Sequence, residues 1–222
     1  ARRCGVPLID GSDGPVTPAE AHAFFATLGT GGAMLIKAVA GGGGRDMRIV
    51  REAGELDAAY ARCASEARAA FGDPALYVEC LQEGVRHIEV QVLGDASGAV
   101  SHLWERECSL QRRHQKLVEI APSPALPDAL RERIVDAALV LARAVRYESL
   151  GTFEFLVDID AQRFAFIEAN PRLQVEHTVT EAVLGIDLVQ AQLAVAAGST
   201  LAALGLEQAR IPRPRGFALQ MR

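Results

Sequence analysis

The sequence contains little cysteine and no long run of apolar residues. Its cysteines include no Cys-x-x-Cys pair, so neither a zinc ribbon nor a disulfide scaffold is expected. No apolar run reaches the roughly 18 residues of a membrane helix, and no signal peptide opens the chain. We therefore expect a cytoplasmic protein that does not cross a membrane. The four cysteines are Cys4, Cys63, Cys80 and Cys108.

A basic excess is also absent. The 222 residues include 23 Lys and Arg against 28 Asp and Glu, a formal net charge of -5. This balance argues against a general nucleic-acid binder, which usually carries an excess of positive charge. Hydrophobic residues make up 50% of the chain and charged residues 23%, a composition typical of a folded protein with a sizeable core. The length predicts one or two domains.

The chain has no initiator methionine, and its last residues, 216–222, have the pattern of a strand. A natural domain rarely ends inside a strand, because ladder groups would remain unpaired. We therefore expect a piece of a longer protein.

Periodicity and turn residues predict the order of helices and strands. Thr17, Pro18 and Glu20 mark a helix start with a capping box. The alternation of polar and apolar residues over 86–93 is typical of a half-exposed sheet. The order of the elements predicts an α+β fold with mainly antiparallel sheets. The predicted helices cover residues 17–28, 55–70, a long stretch from 127, and 187–197; the predicted strands cover residues 34–39, 49–50, 76–79, 86–93, 99–104, 152–159 and 163–169.

A glycine-rich loop follows the first predicted strand, since residues 41–48 read Gly-Gly-Gly-Gly-Arg-Asp-Met-Arg. Without Cβ atoms this backbone can approach a ligand closely, and its N–H groups can cradle phosphate oxygens. It is neither a Walker A nor a Rossmann motif, because no Lys-Ser/Thr follows and a strand comes next. A flexible linker is the alternative. Lys37, in the apolar strand before the loop, needs a partner unless it extends to solvent from an edge.

The predicted hairpin of residues 152–159 and 163–169 opposes two carboxylates. If its turn is centred on Ala161, Glu154 faces Glu168 directly. Opposed carboxylates repel, and a bound divalent cation such as Mg²⁺ would remove that cost. Asn170 lies on the same face as Glu168 and can also bind the cation. A solvated pair in a shifted register is the alternative.

Two polar segments complete the candidate site. If residues 172–176 are extended, Arg172, Gln174 and Glu176 point to one side, which suits binding a small oxyanion and deprotonating it. Residues 111–116 form a second polar run, for which a solvated basic loop is the alternative. The spacing of His22, His87 and His102 is not that of metal ligands.

These residues together resemble biotin carboxylase, the ATP-grasp component of biotin-dependent carboxylases. The resemblance covers essentially the whole chain. The strings Arg-Arg-His-Gln-Lys at 112–116 and Arg-Leu-Gln-Val-Glu-His at 172–177 are its most specific part. It implies an ATP-grasp fold with a glycine-rich lid subdomain at residues 10–81 and a central subdomain at residues 82–222. The quoted strings lie at residues 41–48, 86–92, 107–116, 151–155 and 168–177.

The resemblance implies an ATP-dependent ligase that carboxylates biotin on a carrier domain. The reaction uses bicarbonate and MgATP through a carboxyphosphate intermediate. The glycine loop would close over the phosphates as a lid. The implied nucleotide-binding residues are Lys37, Gly42, Gly43, Gly44, Met47, Glu79, Cys80, Gln82, His87, Gln111, His114, Glu154 and Glu168.

The resemblance also implies a metal set and a bicarbonate set. Glu154, Glu168 and Asn170 would hold Mg²⁺ or Mn²⁺. The bicarbonate ligands would be Lys116, Arg172, Gln174 and Val175. Glu176 would be the general base, and Arg222 would stabilise the biotin enolate. The implied catalytic residues are thus Glu176, Arg172, Lys116 and Arg222.

The chain has Asp46 where the family usually has Gly, and Cys80 where it usually has Lys. A further phosphate-binding lysine of the family would lie before residue 1, so we expect no turnover by this chain alone.

Two alternative functions stay open. One is another ATP-grasp ligase, such as a component of carbamoyl-phosphate synthase or urea carboxylase, and the other is a degenerate nucleotide-binding module. The implied partners are a biotin carboxyl carrier domain and a carboxyltransferase region of an acyl-CoA or pyruvate carboxylase. Whether the full-length protein forms a homo-oligomer is a question that the sequence leaves open.

Overall fold

The computed structural model describes residues 1–41 and 47–222, so the predicted lid residues Gly42, Gly43, Gly44 and Asp46 lie outside the described residues. The chain divides into two units by its internal contacts. The smaller unit comprises Ile9–Glu83 and Arg113–Gln115, and the larger unit comprises Ala1–Leu8, Gly84–Arg112 and Lys116–Arg222.

The smaller unit contains a three-stranded antiparallel sheet in the order β2-β1-β3. Its core consists of apolar side chains from the sheet and from both helices, including Met34, Ile36 and Leu56. The elements are α1 (Pro18–Thr27), β1 (Met34–Ala38), β2 (Met47–Val50), a 3-10 turn (Ala53–Glu55), α2 (Leu56–Phe71) and β3 (Leu76–Cys80).

The predicted start of α1 is confirmed. Thr17 Oγ1 accepts a hydrogen bond from the backbone N–H of Glu20, and Glu20 Oε2 accepts one from the backbone N–H of Thr17. Two backbone N–H groups that the helix leaves without partners are therefore satisfied. Helix α2 ends at Gly72, whose φ of 77° is one that glycine adopts without strain.

The larger unit contains a six-stranded sheet in the order β8-β7-β4-β5-β6-β9. The described pairings β4–β5, β4–β7, β7–β8 and β6–β9 are antiparallel, as predicted. Its elements are a 3-10 turn (Arg2–Cys4), β4 (Arg86–Gly94), β5 (Val100–Arg112), β6 (Gln115–Ala121), α3 (Asp128–Ala144), β7 (Ser149–Asp158), β8 (Arg163–Asn170), α4 (His177–Leu184), α5 (Leu188–Ala196), α6 (Leu201–Leu204), a 3-10 turn (Gln208–Arg210) and β9 (Ala218–Met221).

Both faces of this sheet are covered. Ile88, Val90 and Val92 of β4 belong to a core that includes α3, whereas Leu93 belongs to a second core with α4, α5 and α6. Side chains alternate between the two faces of a strand. Glu89 and Gln91, which the alternation placed on a half-exposed face, are therefore fully buried. That prediction is wrong, because helices that the alternation does not reveal cover the polar face.

The hairpin β7–β8 opposes Glu154 and Glu168, as predicted. Its register is not uniform, however, because Phe155 pairs with Phe166 after a bulge. The prediction of a turn centred on Ala161 is therefore wrong, since the pairs between the turn and the bulge are shifted by one residue. The bulge cancels this shift, so that Glu154 and Glu168 pair as predicted.

Residues 111–116 form the tip of the hairpin β5–β6, with Arg113 and His114 in the left-handed region at φ of 52° and 61°. Residues 112–115 are exposed, as the alternative of a solvated loop predicts, whereas Gln111 and Lys116 are partly buried. Helix α4 begins at His177, directly after the polar segment, and was not predicted.

In the described part of the chain, no single helix is both long enough and apolar enough to cross a membrane. The sharply bent pair α4 and α5 meets these criteria only when the two helices are taken together, by length and composition alone.

Candidate active site

Three carboxylates lie side by side across the larger sheet. Glu89 of β4 pairs with Glu154 of β7, which in turn pairs with Glu168 of β8. Glu89 and Glu154 are buried, whereas Glu168 is half-buried. Because like charges repel when they face one another on a sheet, this row needs cations beside it.

Lys116 of β6 supplies one such cation. Its Nζ donates to Glu89 and, at 2.9 Å in both cases, to Oε1 of Glu154 and Oε1 of Glu176. Burial alone would lower the pKa of Lys116, but the surrounding carboxylates, Glu89 first, raise that pKa well above its usual value. Lys116 is therefore a fixed positive charge among three carboxylates.

Glu154 accepts hydrogen bonds from four side chains. Its Oε2 accepts from Nε2 of His87 at 2.6 Å. Its Oε1 accepts from Lys116, and from the amides of Asn170 at 2.9 Å and Gln174 at 3.1 Å. Burial raises the pKa of Glu154, but the hydrogen bond and charge of His87, followed by Lys116, outweigh it and hold the pKa well below its usual range. Glu154 is therefore an ionised carboxylate.

The orientation of His87 follows from its two neighbours. Gln111 Nε2 lies 2.8 Å from His87 Nδ1, and His87 Nε2 donates to Glu154. Both Gln111 and His87 thus reach the carboxylate row. His114, assigned to the same nucleotide site by resemblance, is exposed at the tip of the β5–β6 hairpin.

Glu176 lies between two cations. Its Oε1 accepts from Lys116, and its Oε2 accepts from Nη2 of Arg222 at 2.7 Å. Burial raises the pKa of Glu176, but the charge and hydrogen bond of Lys116 reverse this effect and lower the pKa. The same Nη2 forms an ion pair at 2.7 Å with Oε1 of Glu119, a fully buried carboxylate. Burial raises the pKa of Glu119.

The segment from Arg172 to Glu176 is not extended; it bends and turns into α4. Gln174 and Glu176 are buried toward the carboxylates, as predicted, but Val175 is 59% exposed. Arg172 is exposed, and its Nη1 donates to the carbonyl of Leu173 at 3.3 Å. The prediction that alternation in a strand places Arg172 with the other two is therefore wrong, since a turn replaces the strand.

The smaller unit holds the other predicted nucleotide residues. Lys37 of β1 forms an ion pair with Glu79 of β3, and its Nζ lies 5.8 Å from the ring centroid of Tyr77. The lysine thus has the partner that its position requires. Met47 and Cys80 are partly buried, and Gln82 is exposed. Burial raises the pKa of the Cys80 thiol, which favours its neutral form.

The donor set on β7 and β8 fits a hard divalent cation. Glu154 and Glu168 offer carboxylate oxygens, and Asn170 Nδ2 lies 2.9 Å and 3.2 Å from their Oε1 atoms. Rotation of the Asn170 amide would present its oxygen instead, giving three oxygen ligands of the kind that Mg²⁺ prefers. His87, Glu89 and Glu154 also bring one potential ligand atom each within 4.8 Å of one another.

Sequence reasoning missed two residues of this cluster, Glu89 and Arg106. Arg106 of β5 is fully buried, and its Nε donates to Glu89. The alternation over 86–93 contained the signal for Glu89, because it places Glu89 on the same face as His87. Arg106 carried no such signal, since its partners come from four separate parts of the chain.

A family model, curated relatives and solved structures all match this chain. The model of the family described as "Carbamoyl-phosphate synthase L chain, ATP binding domain" matches residues 1–204. Pyruvate carboxylase of Aspergillus niger is 53% identical over 100% of this chain and 18% of its own length. Pyruvate carboxylase of Bacillus subtilis (strain 168) is 50% identical over 100% of this chain and 19% of its own length.

Two solved structures share the fold. One is the biotin carboxylase domain of the Hydrogenobacter thermophilus 2-oxoglutarate carboxylase in complex with MgADP, ADP and bicarbonate; its TM-score is 0.92 at 44% identity, over 100% of this chain and 48% of that chain. The other is a biotin carboxylase–β,γ-ATP complex from Campylobacter jejuni, with a TM-score of 0.91 at 45% identity and the same coverage. The chain thus spans about a fifth of the curated relatives and about half of the biotin carboxylase chains. The resemblance to biotin carboxylase and the α+β ATP-grasp fold are confirmed.

Proposed function

We propose a function from the premise that this chain belongs to the family of the carbamoyl-phosphate synthase L chain, ATP binding domain. The chain is the ATP-binding part of a biotin carboxylase. In the full-length protein it takes part in the MgATP-dependent carboxylation of carrier-bound biotin with bicarbonate. The observation that carries this proposal is Lys116, held between three carboxylates beside the amide of Gln174.

The bicarbonate site is assigned to Lys116, Gln174, Val175 and Arg172. A small oxyanion needs fixed N–H donors in a site with little water, because donors that need not reorganise stabilise developing charge best. Lys116 and Gln174 are both held in place by hydrogen bonds to Glu154. Gln174 has a second amide N–H for the anion, whereas Lys116, whose three N–H groups donate to Glu89, Glu154 and Glu176, exchanges one of these bonds when the anion binds. Arg172 is exposed, and in this proposal its side chain rotates toward the anion when the anion binds.

Glu176 is assigned as the general base. It lies within hydrogen-bond reach of Lys116, so an anion held by Lys116 is also near the base. Free Glu176 is a weak base because Lys116 lowers its pKa. An anion that draws the ammonium charge toward itself raises the pKa of Glu176 again, so the base strengthens when bicarbonate is bound. Arg222, which donates to Glu176, is assigned to the biotin enolate.

Glu154, Glu168 and Asn170 are assigned to Mg²⁺ or Mn²⁺, which would neutralise nucleotide phosphate charge at this edge of the sheet. In the smaller unit, Lys37 is assigned to the phosphates. The remaining nucleotide residues there are Met47, Glu79, Cys80, Gln82 and His114, with the glycine loop as a lid; His87 and Gln111 are assigned from the larger unit.

The partners proposed for the full-length protein are a biotin carboxyl carrier domain and a carboxyltransferase region, in the cytoplasm. The pyruvate carboxylases at about 50% identity and the 2-oxoglutarate carboxylase domain support a 2-oxo acid as the final acceptor rather than an acyl-CoA. Ammonia-dependent use of ATP would instead favour carbamoyl-phosphate synthase. A large gain of activity from Asp46→Gly in the full-length protein would favour a degenerate module.

A thermal-shift titration of this chain with MgATP tests the nucleotide and metal assignment. Ligand at about 100 times its Kd stabilises the native state by about 2.7 kcal/mol. For a chain of this length that corresponds to an increase in Tm of about 5–10 °C. The variant Glu168→Gln should reduce the shift strongly, because it removes one charged ligand that accepts only from Asn170 among the described residues.

The matched control is Glu132→Gln, a change of the same charge at an exposed position on α3. This variant should shift as the unsubstituted chain does. Equal shifts in all three proteins would overturn the metal assignment. If the full-length protein showed no bicarbonate-dependent ATP cleavage, the proposed function itself would be wrong.

A further inference from the structure

Arg106 uses its whole guanidinium group in the buried cluster. Nε donates to Glu89, Nη1 donates to Gln91 at 2.8 Å and Thr180 at 2.9 Å, and Nη2 donates to Thr152 at 3.3 Å. A fifth contact joins Nη2 to Oε1 of Gln174 at 3.5 Å. A guanidinium has five N–H donors in a fixed plane, so each donor has an acceptor. The side chain is fully buried, and its position is therefore determined by these contacts.

This arrangement decides which way the amide of Gln174 faces. An arginine can only donate, so the amide oxygen of Gln174 must face Arg106. The amide nitrogen then faces Oε1 of Glu154, to which it donates at 3.1 Å. If the amide were reversed, its nitrogen would face the guanidinium and its oxygen would face a carboxylate. Arg106 therefore fixes Gln174 as an N–H donor on the side of the carboxylates.

The same guanidinium fixes Lys116 through Glu89. One oxygen of Glu89 accepts from Arg106 and the other accepts from Lys116. Without Arg106, Glu89 would be a buried carboxylate with one oxygen lacking this partner, and it would draw the ammonium group of Lys116 toward itself. A buried charge that loses its partner is costly, so the cluster would rearrange.

We propose that Arg106 is a positioning residue for bicarbonate, acting through Gln174 and Glu89 to hold two anion donors in place. The inference rests on the proposed function, because it concerns the anion that the same site takes. In the described part of the chain Arg106 has no direct hydrogen bond to Glu154 or Glu168. Gln174 and Lys116 each donate to Glu154, but Glu154 also accepts from His87 and Asn170, which do not depend on Arg106. The loss of Arg106 should therefore weaken bicarbonate binding far more than MgATP binding.

The test is steady-state kinetics of bicarbonate-dependent ATP cleavage by the full-length protein with Arg106→Lys. Lysine keeps the positive charge beside Glu89, but its three donors on one nitrogen cannot replace the planar fork that also reaches Gln174. We expect the KM for bicarbonate to rise at least tenfold, while the KM for MgATP stays within twofold. A role in folding alone would change both constants together or change neither.

Arg131→Lys is the matched control. Arg131 also pairs with a buried glutamate of β5, Glu105, which it contacts at 2.8 Å, but Glu105 makes no contact with the carboxylate row among the described residues. This variant should leave both KM values within twofold. If Arg106→Lys does not fold, Thr180→Val removes one acceptor of the guanidinium at nearly constant volume and should raise the KM for bicarbonate about threefold.

The outcomes separate the two claims. A wild-type protein that cleaves ATP with bicarbonate, together with an unchanged KM for bicarbonate in the Arg106→Lys variant, overturns the positioning role alone. If Thr180→Val is used instead and leaves that KM unchanged, the positioning role is likewise overturned. A wild-type protein without bicarbonate-dependent cleavage overturns the proposed function and this inference with it.

Discussion

Lys116 Nζ lies 2.9 Å from Oε1 of Glu176, so the proposed base and a fixed cation are hydrogen-bonded to each other. The two side chains come from β6 and from the turn before α4, which are 60 residues apart in the chain. Their contact joins the carboxylate row to the polar segment of residues 172–176. Both the stability of the cluster and the strength of the base depend on this pair.

Replacing Lys116 by methionine should destabilise the chain by about 3 kcal/mol or more, because three carboxylates would lose a shared buried partner. The pKa values of Glu154 and Glu176 are lowered in the folded state, so this stabilisation is present above pH about 4.5. It is lost as the pH falls through the lowered values. Urea unfolding at pH 7 measures the destabilisation, and a series of urea unfolding curves from pH 4.5 downward measures the loss.

Arg163→Met serves as the control, since Arg163 forms an exposed ion pair with Asp158. Exposed pairs contribute at most about 1 kcal/mol. A Lys116→Met variant as stable as this control would contradict the buried-cluster account.

Glu176→Gln should reduce the kcat of bicarbonate-dependent ATP cleavage by the full-length protein about 100-fold or more. General-base catalysis contributes about 10²–10⁴-fold, and an amide cannot take up the proton. The KM for MgATP should stay within twofold, because Glu176 is assigned to proton transfer and not to the nucleotide. Glu148→Gln, at an exposed position, is the control and should be as active as wild type. Retention of wild-type kcat by Glu176→Gln would rule out the base assignment.

His102 should make the chain less stable as the pH falls below 6.5. Its ring is buried between strands and loops, and this burial lowers its pKa from 6.5 to about 4, partly opposed by Asp136. Above pH 6.5 the imidazole is neutral in both states and has no effect. Between pH 6.5 and 4 the unfolded chain binds the proton more tightly, so up to about 3 kcal/mol of stability is lost.

His102→Asn should remove that pH dependence. The asparagine oxygen can replace Nδ1 as the acceptor for the backbone N–H of Trp104, which lies 3.2 Å away. The difference in unfolding free energy between variant and wild type should therefore grow in favour of the variant from pH 7 to pH 4. Parallel pH curves for the two proteins would show that His102 titrates normally.

Gly94→Ala should destabilise the larger unit by about 3 kcal/mol or more. A Cβ at this position would lie 1.9 Å from the carbonyl oxygen of Tyr147, a backbone atom that cannot move independently. Gly14→Ala is the control, because a Cβ there meets nothing within 4 Å and its φ is outside the left-handed region. Thermal unfolding of both variants decides the matter, and a Tm for Gly94→Ala equal to that of Gly14→Ala would contradict the packing.

Much of the fold could be predicted locally. The capping box of α1, the strand around Lys37 and the hairpin that opposes Glu154 and Glu168 follow from residue type and spacing within short windows. These features depend on neighbours in the sequence, so the sequence contains the information that determines them. The motif strings also sufficed to identify the family.

Other features depended on contacts between distant segments. The burial of Glu89 arises because α4, α5 and α6 cover its face of the sheet, and no alternation pattern encodes that cover. The outward position of Arg172 follows from a turn where alternation predicted a strand.

By itself, the sequence determined the local elements, the family and the residue types of the site. Only the tertiary structure decided that Arg106 holds Glu89 and Gln174, and that Lys116 neutralises three carboxylates at once. The physical reason is that a buried charge is tolerated only where partners from several strands converge on it. Such convergence is a property of the packed sheet and of no single stretch of the chain.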